Sequence, residues 1–214
     1  DGAALARPGD FGLFYFSSDA EEAGQDRYGL LLESAKFADA NGFTAIWTPE
    51  RHFHAYGGLF PNPAVTGAAV AAVTERLAIR SGSIVLPLHH PVRVAEDWAI
   101  VDNLCGGRVG LSIAPGWQPV DFVIRPEAYG NRHKDMFAAL DTVQRLWRGE
   151  EVGFPDAEGV ERKVRSQPRP IQKELPIWVT AAGSPETIRN AGEQGANVLT
   201  HLLGQTVQEI GQKV

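Results

Sequence analysis

Hydrophobic and polar positions along the chain follow two alternating patterns. Phe11–Ser17 (FGLFYFS) is a continuous apolar run of strand length, the pattern of a strand covered on both faces. Within 26–41, Tyr28, Leu31, Leu32, Ala35 and Ala38 fall at helical spacing, and Asn41-Gly42 is a helix stop. Phe43–Thr48 is a second strand, and Asn62-Pro63 makes an N-cap and N1 pair for a helix through Thr74. Leu77–Leu86 is the third strand and Pro91–Leu104 its helix; Arg108–Ala114 is the fourth. A helix from Arg132 follows, with Met136, Leu140, Val143 and Trp147 on one face. Residues 149–174 are Pro-rich and mixed in charge, and predict an excursion, a hairpin, outside the repeat. Leu175–Ala181, Ser184–Gln194 and Ala196–His201 supply a fifth strand, its helix and a sixth strand, before the opening turns of another helix. Residues 1–10 are small and aperiodic and read as a linker or tail.

Strand alternating with helix predicts a parallel sheet of βαβ units. A doubly wound sheet and a (β/α)8 barrel both fit, and periodicity does not choose between them. No G-x-G-x-x-G stands between a strand and its helix, and there is no Walker A motif. The composition narrows the class further. In 214 residues, 43% are hydrophobic, ample for a packed core. Twenty basic against 26 acidic residues, a net charge of −6, argue against nucleic-acid or membrane-surface binding. The single Cys105 excludes an internal disulfide framework and a CxxC zinc site, and fits a reducing compartment. The longest uncharged apolar stretch, 64–73, falls far short of the ~20 residues of a membrane span. A cytoplasmic α/β protein is expected.

The special side chains gather at one place in this pattern. Strand two is followed by Pro49-Glu50-Arg51-His52-Phe53-His54, strand three by His89-His90-Pro91 and strand four by Pro115-Gly116-Trp117. After strand five comes Gly183-Ser184-Pro185-Glu186-Thr187, and strand six ends at His201. Five of the six histidines therefore lie at C-terminal strand ends, the face that carries the active site in parallel α/β architectures. Three readings of this rim compete. His52-x-His54 has metal-ligand spacing, completed by His89, His90 or His201, as in a metal-dependent hydrolase. Gly183-Ser184 before a Pro at N1 could cradle a phosphate, or be an ordinary helix cap. A third reading joins that cradle to a pocket lined by Trp117 and Phe53, suited to a flat ring cofactor.

The run IWTPERHF…GLFPNPAVTGAAVAAVTERLAIRSGSIVLPLHHPVRVAEDWAIVDNLCGGRVGLSIAPGW resembles the bacterial luciferase-like flavin monooxygenases. The blocks RPIQKELPIWVTAAGSPETI and AGEQGANVLTHLLGQT are similar to the subgroup found in natural-product assembly lines. The resemblance covers almost everything from Phe11 onward. It implies a TIM-type (β/α)8 barrel, here truncated to about six β/α units across 11–214, and reduced FMN as cosubstrate for O2 activation.

Matched to the family's motifs, His52 is the active-site histidine after strand two and Glu50 the buried acid before it. Gly82-Ser83 falls where the family often has a non-prolyl cis peptide under the flavin. Ser184 and Thr187, beside Gly183, match phosphate-holding positions, and His201 lies where the sixth strand faces the ring. Ala114, Gly116 and Trp117 are expected on the cofactor side. Asp102 and Arg108 match framework residues tying helix three to the barrel. The sequence also departs from the luciferases proper. Arg51 replaces the first histidine of a catalytic pair, Ala114 a reactive cysteine and Pro115 a phosphate-contacting arginine, which speaks against light emission.

The function this resemblance implies is an FMN-dependent monooxygenase acting on a natural-product assembly-line intermediate. His52 would move the proton, with Glu50 and Arg51 beside it, and no metal is expected. A flavin reductase is the implied partner, with a small-molecule or carrier-tethered substrate, flanking assembly-line domains and a homodimer. An F420-dependent oxidoreductase of the same superfamily is one alternative. The other is a non-catalytic flavin-binding or scaffold fragment, since about 250 residues are typical of the complete barrel.

Overall fold

In the computed structural model, which describes residues 10–16 and 26–213, the predicted alternation is present and the strands pair in chain order. The elements are β1 (Gly12–Phe14), α1 (Gly29–Ala40), β2 (Ala45–Thr48), α2 (Pro63–Ala71), β3 (Ala78–Val85), α3 (Pro91–Cys105) and β4 (Val109–Ala114). They continue with α4 (Arg132–Arg148), β5 (Val152–Pro155), β6 (Glu161–Val164), β7 (Ile177–Thr180), α5 (Pro185–Glu193), β8 (Asn197–Leu199) and α6 (Val207–Gly211). Residues 1–9 of the expected N-terminal tail and Ser17 of the first expected strand lie outside the described residues.

Strand order decides what periodicity left open. The main sheet runs β1-β2-β3-β4-β7-β8, parallel throughout. A doubly wound sheet reverses its order at a switch point, whereas here each crossover steps the same way. With right-handed crossovers, all the helices then fall on one face. The other face is the inside of a barrel sector six strands wide. Pleating sorts the side chains accordingly. Ile46, Ile79, Leu111, Ile113, Ile177 and Val179 join the helices in one buried core. Trp47 and Trp178 point the other way and meet edge to face, with the Arg80 guanidinium 4.8 and 4.3 Å from their rings.

The first strand is not covered on both faces as its apolar run predicts. It lies at the sheet edge and pairs only with β2 among the described residues, leaving Phe11 70% and Phe14 42% exposed. The second helix stops at Ala71, before Thr74: the Val73 N–H turns to the i−3 carbonyl of Val70, which also accepts the Thr74 hydroxyl. The 149–174 excursion contains the expected antiparallel hairpin, β5 with β6. No helix among the described residues is long and apolar enough to cross a membrane.

Three charged side chains tie the N-terminal ends of the strands together. The Asp39 carboxylate accepts the N–H groups of Glu75, Arg76 and Leu77 ahead of β3, at 3.0, 2.7 and 2.7 Å. Arg108 donates to the carbonyls of Thr74, Leu77 and Cys105. Fully buried Asp102 accepts the N–H groups of Ile171 and Gln172 at 2.7 and 3.0 Å and the Gln172 amide at 2.8 Å. Asp102 and Arg108 are framework residues, and Cys105 lies buried beside them at this end.

Candidate active site

At the opposite, C-terminal ends of the strands, the chain after β2 turns inward at Glu50, whose N–H donates to the Ser83 carbonyl at 3.0 Å. This buries the carboxylate completely. Its Oε1 accepts from Nε2 of both His52 and His89 at 2.8 Å, and its Oε2 accepts the Val85 N–H at 2.7 Å. Burial alone would raise the Glu50 carboxyl, but these donors outweigh it and hold it below the ordinary carboxylate range. Burial would likewise depress His89, but the Glu50 carboxylate, with Asp97 further off, raises its pKa. Asp121, in the turn after β4, is pushed up by burial while His52 and Arg51 nearby pull it down. Two imidazoles, a buried anion and a second buried acid thus lie together.

Beside this cluster is a cavity of about 450 Å3, at the mouth of the barrel sector. Its floor is Gly82-Ser83 in β3, joined by a cis peptide bond. A Cβ at 82 would lie 2.7 Å from the Phe14 ring, so any larger residue there would displace that ring from the cavity wall. Ser83, Ser112 and Thr180, from three adjacent strands, form a hydroxyl cluster, with Ser83 Oγ 3.1 Å and Thr180 Oγ1 2.9 Å from Ser112 Oγ. Phe14, Phe16, Val85, Trp117 and Leu199 make the walls apolar. A mostly apolar cavity with a few convergent polar groups fits a flat heteroaromatic ring.

Of the residues expected here from the sequence, Glu50, Arg51, Gly82, Ser83, Ala114, Trp117 and His201 line this cavity. His52 does not line it. Its Nε2 is committed to Glu50, which leaves Nδ1 as its open nitrogen. Gly116 is a backbone element rather than a lining residue. Its φ is +77°, and a Cβ would come within 2.8 Å of Val85 and 2.9 Å of Phe122. Phe53 does not line the pocket either; it is 62% exposed on a left-handed backbone (φ +54°), and Phe14 and Phe16 supply the aromatic wall instead.

The expected phosphate cradle lies apart from this cavity. Ser184 caps α5 by accepting the Thr187 N–H at 3.3 Å. Ser184 and Thr187 line a second groove, of about 590 Å3, faced across α4 by His133 and Lys134. Gly183 lines neither. The metal reading finds no geometry: His54 is exposed, and no three His, Cys, Asp or Glu side chains among the described residues are arranged to hold an ion.

Sequence reasoning placed His89 on the rim as a candidate metal ligand but missed its pairing with Glu50, and it missed Asp121 and the hydroxyl cluster. A signal for His89 was present. Pro91 at N1 makes His90 the N-cap, and its Nδ1 does accept the Val92 N–H, so His89 is the histidine left to turn inward.

Three comparisons bear on this geometry. Residues 10–214 match the family model of the luciferase-like monooxygenases. The oxygenase component of the flavin-dependent trigonelline monooxygenase of Acinetobacter baylyi is 31% identical over 86% of this chain and 52% of its own length. The 4-hydroxyprotoasukamycin monooxygenase of Streptomyces nodosus is 32% identical over 79% of this chain and 46% of its own length. The chain therefore spans about half the length of these curated relatives. Among solved structures, monooxygenase RslO1 of Streptomyces bottropensis superimposes with a TM-score of 0.83, at 27% identity, over 95% of this chain and 63% of its own. An F420-dependent secondary alcohol dehydrogenase shares the fold at 20% identity (TM-score 0.69, over 95% of this chain and 63% of its own).

Proposed function

The chain belongs to the luciferase-like monooxygenase family, and on that premise we propose that it is the oxygenase part of an FMN-dependent monooxygenase. Reduced flavin would come from a separate reductase, as the trigonelline relative's name, an oxygenase component, suggests. The observation that carries the reading is the apolar cavity over Gly82-Ser83 with a histidine–carboxylate cluster at its edge. FMN is favoured over F420 because the relatives above 30% identity include a flavin-dependent monooxygenase, whereas the F420-dependent alcohol dehydrogenase, at 20% identity, shares the fold alone. A small natural-product intermediate, free or carrier-tethered, is the proposed substrate. The Streptomyces nodosus relative supports that class.

Bound reduced flavin would supply the electrons that activate O2. Gly82, Ser83 and Thr180 would hold its ring. Phe14, Phe16 and Trp117 would exclude water. His52 holds or releases a proton at Nδ1 while Glu50 fixes its Nε2–H tautomer. With the full-length protein, reduced FMN binds saturably under anaerobic conditions, and His52→Ala lowers oxygen-dependent turnover by roughly 10²–10⁴-fold without weakening that binding. Saturable binding of reduced F420 but not FMN would overturn the cofactor assignment. Unchanged turnover in His52→Ala would remove its role.

A further inference from the structure

Arg51 is a half-buried cation on the cavity wall that makes no ion pair with a described carboxylate, although the buried acid Asp121 lies near enough to feel its charge. Its backbone N–H donates to the Phe60 carbonyl at 2.9 Å. Its stem passes under Gly57 (φ +86°), where a Cβ would lie 2.6 Å from Arg51 Cδ. The guanidinium carbon sits 5.8 Å from the rings of both Tyr56 and Trp117. The Nε atom is buried without an acceptor. No carboxylate of the described residues forms an ion pair with it. Glu50, also on the cavity wall, is engaged by His52, His89 and the Val85 N–H rather than by Arg51. A planar cation held by its stem, with aromatic rings beside it, is preorganised to pair in its own plane with a planar two-oxygen anion. Phe16, Val85 and Leu199 make the neighbouring wall apolar.

We propose that Arg51 anchors a carboxylate of the substrate, so that the cavity selects small aromatic or alicyclic carboxylic acids. This rests on the oxygenase reading of the same cavity. The carboxylate sits on the guanidinium edge and the ring lies against the apolar wall.

The test uses flavin-free full-length protein titrated with benzoate and with benzamide, its uncharged counterpart, followed by calorimetry. Benzoate is expected to bind saturably and at least tenfold more tightly than benzamide. Arg51→Gln brings the two within threefold, and Arg51→Lys, which keeps the charge but not the fork, falls between. Equal binding of benzoate and benzamide to the wild-type protein overturns the proposal whether or not either variant folds. Retention of the full preference in Arg51→Gln also overturns it. If Arg51→Gln weakens reduced FMN tenfold but leaves reduced riboflavin unchanged, the guanidinium serves the cofactor phosphate and the proposal fails. A benzoate preference in a protein that binds no reduced FMN would sink the oxygenase reading while leaving the carboxylate site standing.

Discussion

Replacing Glu50 by Gln keeps the shape of the side chain and removes its charge, and the geometry fixes what must follow. The carboxylate accepts on both oxygens: two imidazole N–H groups at 2.8 Å on Oε1, and the Val85 N–H at 2.7 Å on Oε2. An amide cannot accept on both sides. With its oxygen toward Val85, its NH2 faces two imidazoles that must change tautomer and become acceptors. With its oxygen toward the imidazoles, two buried donors meet at Val85. The first arrangement is the better, and it exchanges charge-assisted bonds for neutral ones. Bonds to charged groups contribute about 1.5–3 kcal/mol and neutral ones about 1, so over the three bonds the variant loses about 1.5–6 kcal/mol.

That loss depends on pH, with a definite sign. Glu50 is held below its ordinary 4.5, so its contribution is present above about that pH and is lost as pH falls through the folded value. His89 is raised above 6.5, so its contribution is complete below that pH and is lost as pH rises through its folded value. The penalty of Glu50→Gln is therefore largest between these limits and shrinks toward alkaline pH. Urea unfolding of the full-length protein and the variant, at about pH 5.5 and about pH 8.5, measures it. Equal penalties at both values, or none at either, would refute the shared-carboxylate account.

Two further substitutions test the frame around the cluster. Gly116→Ala combines a left-handed backbone with contacts under 3 Å to Val85 and Phe122. It should cost roughly 2–4 kcal/mol and lower Tm in calorimetry, while Gly130→Ala, with no neighbour within 4 Å, changes stability by under about 0.5 kcal/mol. Asp102→Ala strips acceptors from the Ile171 and Gln172 N–H groups and should cost about 2–5 kcal/mol. A loss under about 1 kcal/mol in urea would show that water replaces it.

Much of this architecture was legible along the chain because each unit carries its own punctuation. Asn62-Pro63 starts α2 where a cap and an N1 proline require it, and Asn62 accepts the Ala64 and Val65 N–H groups. Strand burial was less legible. The apolar run at Phe11 reads as buried because hydrophobicity records what a strand can tolerate, not whether a neighbour pairs with its other edge. The choice between a doubly wound sheet and a barrel was illegible for a similar reason, since strand order is a property of long-range pairing. In the site, residue types at strand ends located the rim, but not which side chains meet. Ser83, Ser112 and Thr180 are 29 and 68 residues apart in successive pairs, and only the parallel register brings them together.

One interaction recurs at both ends of the sheet, and its partners separate structure from chemistry. Asp39 takes three backbone N–H groups, and Asp102 takes two with the Gln172 amide. None of these donors is a titratable group, so the two carboxylates serve to fix loops. Glu50 takes one backbone N–H and two imidazoles. The Glu50 carboxylate raises the pKa of His89, so a proton held on that ring is felt at the oxygen it shares with His52. A buried carboxylate held by backbone amides is a fastener. The same carboxylate held by histidines beside a cavity has partners that can carry protons, which is why Glu50, and neither aspartate, belongs to the candidate site.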